Sequence, residues 1–243
     1  MSEWSRELEP ISARGWPPEV CEALGGWRLH AARGYSGRAN ACWPIGEPDR
    51  PLEAAIDAVE AWYRARGLPP LFRPADVAGT EALRGRLEAR GYRPRTETLV
   101  MVGRPTPGDA AGVELADTPD AGFTSVFLGT AGDPGDAAER IEAVQRLAAP
   151  RGFARLDVDG APAAIGAAAV DSGWVGVFGM RTLARHRRQG LARRIIAGLS
   201  TFAIEAGARQ AYLQVEQANI PAVTLYRALG FEIAYRYRYW TTV

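Results

Sequence analysis

Arg187-Arg188-Gln189-Gly190-Leu191-Ala192, RRQGLA, is the stretch on which the fold turns. Before it runs WVGVFGM (Trp174 to Met180), an apolar segment that reads as a strand. After it, Leu191, Ile195, Ile196, Leu199, Phe202 and Ala203 recur at helical spacing. A strand, a glycine turn and a helix start together make an anion site. The first N–H groups of a helix have no acceptor inside it, and the helix dipole adds about half a positive charge there. Gly190 removes the Cβ that would hold a ligand away from the backbone. Arg187 and Arg188 offer charge-assisted hydrogen bonds to phosphate oxygens. Six arginines lie between Arg181 and Arg194, and for Arg193 and Arg194 a solvated helix face is the preferred reading.

Downstream comes AYLQVEQANIPAVTLYRALGFE, Ala211 to Glu232. It reads as a strand, a helix over IPAVTLYRAL and a Leu229-Gly230-Phe231 ending. Asn219 suits the N-cap of that helix and Pro221 its first turn. Ala222, Leu225, Tyr226 and Leu229 share one face, so periodicity alone makes Tyr226 a core aromatic. Upstream, from Gly112 to Trp174, VELAD, FARLDVD and PAAIGAAAV read as strands, and AGFTSVFLG and DAAERIEAVQRLAA as helices. Asp133-Pro134-Gly135-Asp136 fits a helix start.

The order Arg187-x-x-Gly190-x-Ala192, the Asn219-led helix with Tyr226, and the Gly230-Phe231 ending resemble the GNAT family of acetyl-coenzyme A-dependent acetyltransferases. The resemblance covers roughly Gly112 to Val243 and implies an α/β fold, a mixed central sheet flanked by helices. It implies that Arg187, Arg188, Gln189, Gly190, Leu191 and Ala192 wrap the diphosphate of acetyl-CoA, any of the arginines being also open to the adenosine 3′-phosphate. The edge of Phe178, Gly179 and Met180 would pair with the pantetheine arm, Gly179 marking a bulge that splays the strand from its neighbour. Asn219 would contact the pantetheine as well, and Tyr226 would protonate the leaving thiolate, a task for which a phenol of ordinary pKa about 10 is suited. The base that takes the amine proton stays open: Glu216 is the first candidate, Asp171 and Asp157 are others, and a water relay is a further route. Arg38 and Asn40 are candidate acceptor contacts. The expected acceptor is a small-molecule amine or amino acid, in direct attack without an acyl-enzyme, since neither cysteine lies near these motifs. The alternative is a CoA-binding scaffold that kept the fold and lost turnover.

Composition narrows the class. The chain has 243 residues with 29 basic and 28 acidic side chains, and it contains no lysine. A net charge of +1 points to neither nucleic acid nor a membrane surface. No apolar run reaches the ~18 residues needed to span a bilayer, and MSEWSRELEP has no signal-peptide pattern. Two cysteines (Cys21, Cys42) and two histidines (His30, His186) supply neither a disulfide framework nor a histidine-rich metal site. A cytoplasmic protein, monomeric or a homodimer, using acetyl-CoA as co-substrate and no metal, is the expectation. G-x-G-x-x-G after an early strand is missing, which sets aside a Rossmann-type nucleotide enzyme.

Gly103 to Gly112, GRPTPGDAAG, reads as a linker between a domain over 1–104 and one over 112–243. The halves share an element order. Leu52, Ala55, Ile56, Val59, Trp62 and Tyr63 form a helical face ending near Gly67. PPLFRP follows as a short strand, then the helix TEALRGRLEAR closing on Gly91-Tyr92, and the strand TETLVMV. Gly67 and Gly207 are 140 positions apart, Gly91 and Gly230 139. This suggests two related folds in tandem, and GGWRLHAARGYSGRANACWP with VEAWYRARGLPP resembles an actinobacterial tandem-GNAT subgroup, some of it labelled N-acetylglutamate synthase. Where the second half has its phosphate turn the first has GEPDRP (Gly46 to Pro51), whose Glu47 and Asp49 repel a diphosphate. The N-terminal domain is therefore expected to be degenerate.

Overall fold

The computed structural model describes residues 3–130 and 132–242. The chain forms two compact units. One comprises Met1–Val100, Val215–Ile220 and Ile233–Val243, the other Met101–Gln214 and Pro221–Glu232.

The first unit opens with α1 (Glu3–Arg14), followed by β1 (Val20–Leu24), β2 (Trp27–Ala31) and β3 (Cys42–Pro44). These strands form an antiparallel three-stranded sheet in the order β1-β2-β3. Helices α2 (Leu52–Arg64) and α3 (Glu81–Ala89) come next, then β4 (Arg93–Gly103), which leaves the unit at Val100. The apolar face of α2, with Ala55, Ile56, Val59 and Tyr63 buried, packs with Trp27, Phe72 and Leu87. PPLFRP is not a strand: only Phe72 pairs, through isolated bridges to Cys42 and Trp240. The prolines on either side withhold the N–H donors a ladder needs.

In the second unit β5 (Val113–Ala116), α4 (Ala121–Gly129), α5 (Pro134–Gln145), β6 (Arg151–Val158), β7 (Ala161–Asp171) and β8 (Trp174–Thr182) precede α6 (Leu191–Glu205). β9 (Gln210–Glu216), α7 (Ile220–Ala228) and β10 (Glu232–Thr241) complete the chain. Strands β5 to β8 pair antiparallel in sequence order, and β8 pairs parallel with β9, so the sheet is mixed. Neighbouring residues on a strand point to opposite faces. On β6, Gly152 lies against Phe202 of α6 while Phe153 packs edge-on to Phe123 of α4, with centroids 5.5 Å apart. Helices α4 and α6 therefore cover opposite faces. Leu191, Ile195, Ile196 and Leu199 of α6 are buried there, each aliphatic side chain contributing about 1.5–3 kcal/mol.

Four helices end alike. The N–H groups of Gly67, Gly91, Gly207 and Gly230 donate three residues back, and those of Leu68, Tyr92, Ala208 and Phe231 five residues back. This double closure is the Schellman motif.

Candidate functional site

Strand β8 does two things that a regular strand would not. Its register against β7 slips: Ala167 faces Phe178, but Ile165 faces Arg181, so Gly166 stands opposite both Gly179 and Met180. Gly179 has φ +60°, a left-handed conformation that glycine adopts without strain. Its parallel pairing with β9 also stops early, running from Trp174↔Gln210 to Val177↔Leu213 and no further. Phe178, Gly179 and Met180 therefore keep an edge that β9 does not take.

The chain then turns through Ala184–His186 into Arg187 to Gly190. Arg188 has φ +65° and Gly190 φ +79°. Helices α4 and α5 are capped from within: Asp120 accepts from the Phe123 N–H at 2.6 Å, and Asp133 from those of Gly135 and Asp136. Helix α6 has Gly190 at its N-cap and no side-chain cap. Among the described residues, no acceptor meets the N–H groups of Arg188, Gln189, Gly190, Leu191 and Ala192. A Cβ built on Gly190 would touch nothing within 4 Å, so the approach is open. The Arg187 Nε donates weakly to the Thr182 carbonyl at 3.5 Å, and both Arg187 and Arg188 are exposed. Arg193 is exposed as well, whereas Arg194 is drawn to Asp109 at 4.0 Å.

In the first unit the turn from Gly46 to Pro51 is built differently. The Gly26 N–H donates to the Glu47 carbonyl at 2.6 Å and that of Gly46 to the Gly26 carbonyl at 3.1 Å. The turn is packed against the β1–β2 hairpin, and α2 begins after Pro51, which has no N–H to offer.

Tyr226 is buried on α7, its ring 6.1 Å from that of Phe231. Its hydroxyl makes no hydrogen bond with a described residue, yet it is not among the fully enclosed unpaired atoms. Burial pushes the phenol up to about 12, against a downward pull from the charge of Arg181. The sequence alone gave Arg181 no part beside Tyr226. Period-two alternation carried through β8 places it on the α6 face, and only the extra bulge residue moves it to the other.

The remaining sequence candidates fall as follows. Glu216 ends β9, is exposed, and its carbonyl accepts from the Asn219 N–H at 2.9 Å; both residues belong to the first unit. Asn219 directly precedes α7. Asp157 is paired with Arg155 at 3.1 Å, and Asp171 accepts from the Ser172 hydroxyl at 2.8 Å. Arg38 and Asn40 are in the first unit. The Asn40 amide oxygen accepts from the N–H groups of Ala32 and Gly34, and its nitrogen donates to the Ser36 carbonyl. Arg38 stacks over Trp16 at 4.5 Å.

Residues 3–240 match the family described as "Probable histone acetyltransferase Rv0428c C-terminal". The chain belongs to this family. This Rv0428c C-terminal family member is also 25% identical over 237 residues to the uncharacterized N-acetyltransferase YobR of Bacillus subtilis, covering 93% of this chain and 94% of that one. Among solved structures it resembles a GCN5-related N-acetyltransferase from Kribbella flavida, with TM-score 0.73, 21% identity, and 99% and 96% of the two chains covered. It also resembles a tandem GNAT protein from the clavulanic acid biosynthesis pathway, with TM-score 0.56, 12% identity, and 99% and 95% covered. The fold is thus the α/β GNAT fold, and this family member is an acyltransferase of the GNAT kind. No helix of the described residues is long and apolar enough to cross a membrane.

Proposed function

We propose that this chain transfers an acetyl group from acetyl-CoA directly to a primary amine of a small molecule or amino acid. The observation that carries the reading is the row of five N–H groups from Arg188 to Ala192 that meet no internal acceptor beside two exposed arginines. Such a row fits a diphosphate, which has acceptor oxygens and negative charge and needs directed donors. The edge of Phe178 to Met180 supplies strand-like partners for the amides of the pantetheine arm. That edge holds the bulge at Gly179 and Met180, where the thioester would lie.

The amine nitrogen attacks the thioester carbonyl carbon, a C–N bond forms and the C–S bond breaks. The developing oxyanion is met by a backbone N–H at the bulge. The Tyr226 hydroxyl gives its proton to the leaving thiolate. The amine's proton leaves through a base or a water relay.

We further propose that residues 1–104 are a degenerate copy of the domain over 112–243. The paired Schellman closures at Gly67 and Gly207, and at Gly91 and Gly230, support this, as does the full-length likeness to a tandem GNAT protein. The turn at Gly46 to Pro51, spent on its hairpin, supports the loss of cofactor binding in that copy.

Incubation with acetyl-CoA and a panel of amines, histone-tail peptides included, followed by free-thiol release, tests the proposal. Thiol release that depends on a small amine is the expected result. Tight acetyl-CoA binding with no release on any amine would favour a CoA-binding scaffold, and release only on peptides would move the acceptor to proteins.

A further inference from the structure

The bulge at Gly179 changes which way the following residues face. Phe178 pairs with Ala167, which in turn pairs with Phe153 on the α4 face. Gly179 also faces α4, since a Cβ built on it would lie 3.0 Å from the Phe127 ring. Two successive residues thus point one way, and the alternation beyond them is inverted. Met180 goes to the α6 face, where its Sδ crowds Gly166 beside Ile195. Arg181 goes to the α4 face, its guanidinium 5.2 Å above the Phe127 ring. Without the inserted residue a cation would be driven into the aliphatic packing beneath α6.

We propose that Arg181 is the acceptor-reading residue of this enzyme: it receives a carboxylate of the amine substrate, so amino-acid-like acceptors are preferred over simple cations. The inference rests on the transferase reading above and names the substrate class for that site. Three observations carry it. Arg181 follows directly on the bulge, where the edge proposed to hold the thioester ends, and its charge reaches Tyr226. It is the one charged residue of Trp174–Thr182, so β8 offers an incoming ammonium no acid. The guanidinium is held by its cation–π contact with Phe127 and by a bond from Nη1 to the Met180 carbonyl at 2.9 Å. A fixed planar fork suits a carboxylate. Arg181 moves no proton. It offsets the carboxylate's charge and, by repulsion, favours the neutral amine that must attack.

The test compares matched amines with the full chain and acetyl-CoA: free amino acids, their carboxamides and the decarboxylated amines, read as kcat/KM for thiol release. The carboxamide amine is the weaker base and is more often unprotonated at neutral pH, so the expected preference runs against that bias. The acids should exceed the carboxamides by roughly tenfold to a hundredfold, the range of a charged hydrogen bond. Arg181→Met should remove the preference, mainly by raising KM for the acid, and Arg181→Lys should restore part of it. Circular dichroism and melting show that both variants are folded. Carboxamides or lysyl peptides used as well as the acids by the natural protein would overturn the assignment, as would an intact preference in Arg181→Met. If no amine releases thiol, the transferase reading fails, and the subsite is judged separately by calorimetry on the CoA-loaded protein. N-acetyl amino acids bound by the natural protein and lost in Arg181→Met support it; equal binding of their carboxamides overturns it.

Discussion

Tyr226 and His30 are both buried titratable side chains, and their surroundings give them opposite uses. Tyr226 keeps its proton to about pH 12 because burial opposes the phenolate, so it is a full proton donor at neutral pH. Tyr226→Phe should lower kcat by about 10²–10⁴-fold, the span of a positioned acid, with acetyl-CoA affinity by calorimetry changed less than about threefold. Any loss of activity below about pH 10 belongs to another group and should persist in Tyr226→Phe. His30 packs 5.4 Å from Trp43, and its Nδ1 faces the Arg38 carbonyl at 3.4 Å. Burial outweighs that carbonyl and, with nearby Arg73, lowers its pKa from 6.5 to about 4. The unfolded chain therefore binds the extra proton first as pH falls. Stability should be flat above about pH 6.5 and fall as pH drops from there to about 4, by about 3 kcal/mol from this group. Urea titrations across that range check it, and His30→Gln should flatten the slope.

The turn before α6 is the element whose conformation and chemistry are hardest to separate. Gly190→Ala retains the fold, since a Cβ there meets nothing, but it places an L-residue at φ +79° at a cost of about 1–2 kcal/mol. Gly190→Glu adds a carboxylate among the five N–H groups. Calorimetry should find weakened acetyl-CoA binding in the first variant and none in the second, with both folded by circular dichroism. Elements of this kind were legible in sequence. RRQGLA, Asn219 with Tyr226, and the glycine stops at Gly67, Gly91, Gly207 and Gly230 are local signals, and the helices they bound lie where their periodicity places them. Gly179 marked its own bulge. The consequence for Arg181 was not legible, because the face of a residue beyond a bulge depends on which partner residue is skipped. PPLFRP misled because apolar residues flanked by prolines satisfy the pattern of a strand without its donors. The left-handed Arg188 has no local signature at all.

At the scale of the molecule, the first unit is fastened by groups very far apart in the chain. The Arg73 guanidinium is fully buried and makes two bonds to Glu9 of α1, at 2.6 and 3.2 Å. It lies between the rings of Trp43 and Tyr237, 3.6 Å from each. The Tyr235 hydroxyl donates to the same Glu9 carboxylate at 2.6 Å. Removing one member strands a buried charge, so Arg73→Met or Glu9→Gln should cost about 3–5 kcal/mol in urea unfolding, while Arg73→Met with Glu9→Leu should recover much of the loss. No periodicity announces such a cluster, since its members are spread from α1 to β10. The separation of 226 positions between Glu9 and Tyr235 also bears on synthesis. Residues leave the ribosome in order, and the amino-terminal hundred emerge long before Tyr235 and Trp240 exist to finish their core. While the intervening residues are being made, that nascent segment waits with its aromatic interior unfinished and open to association.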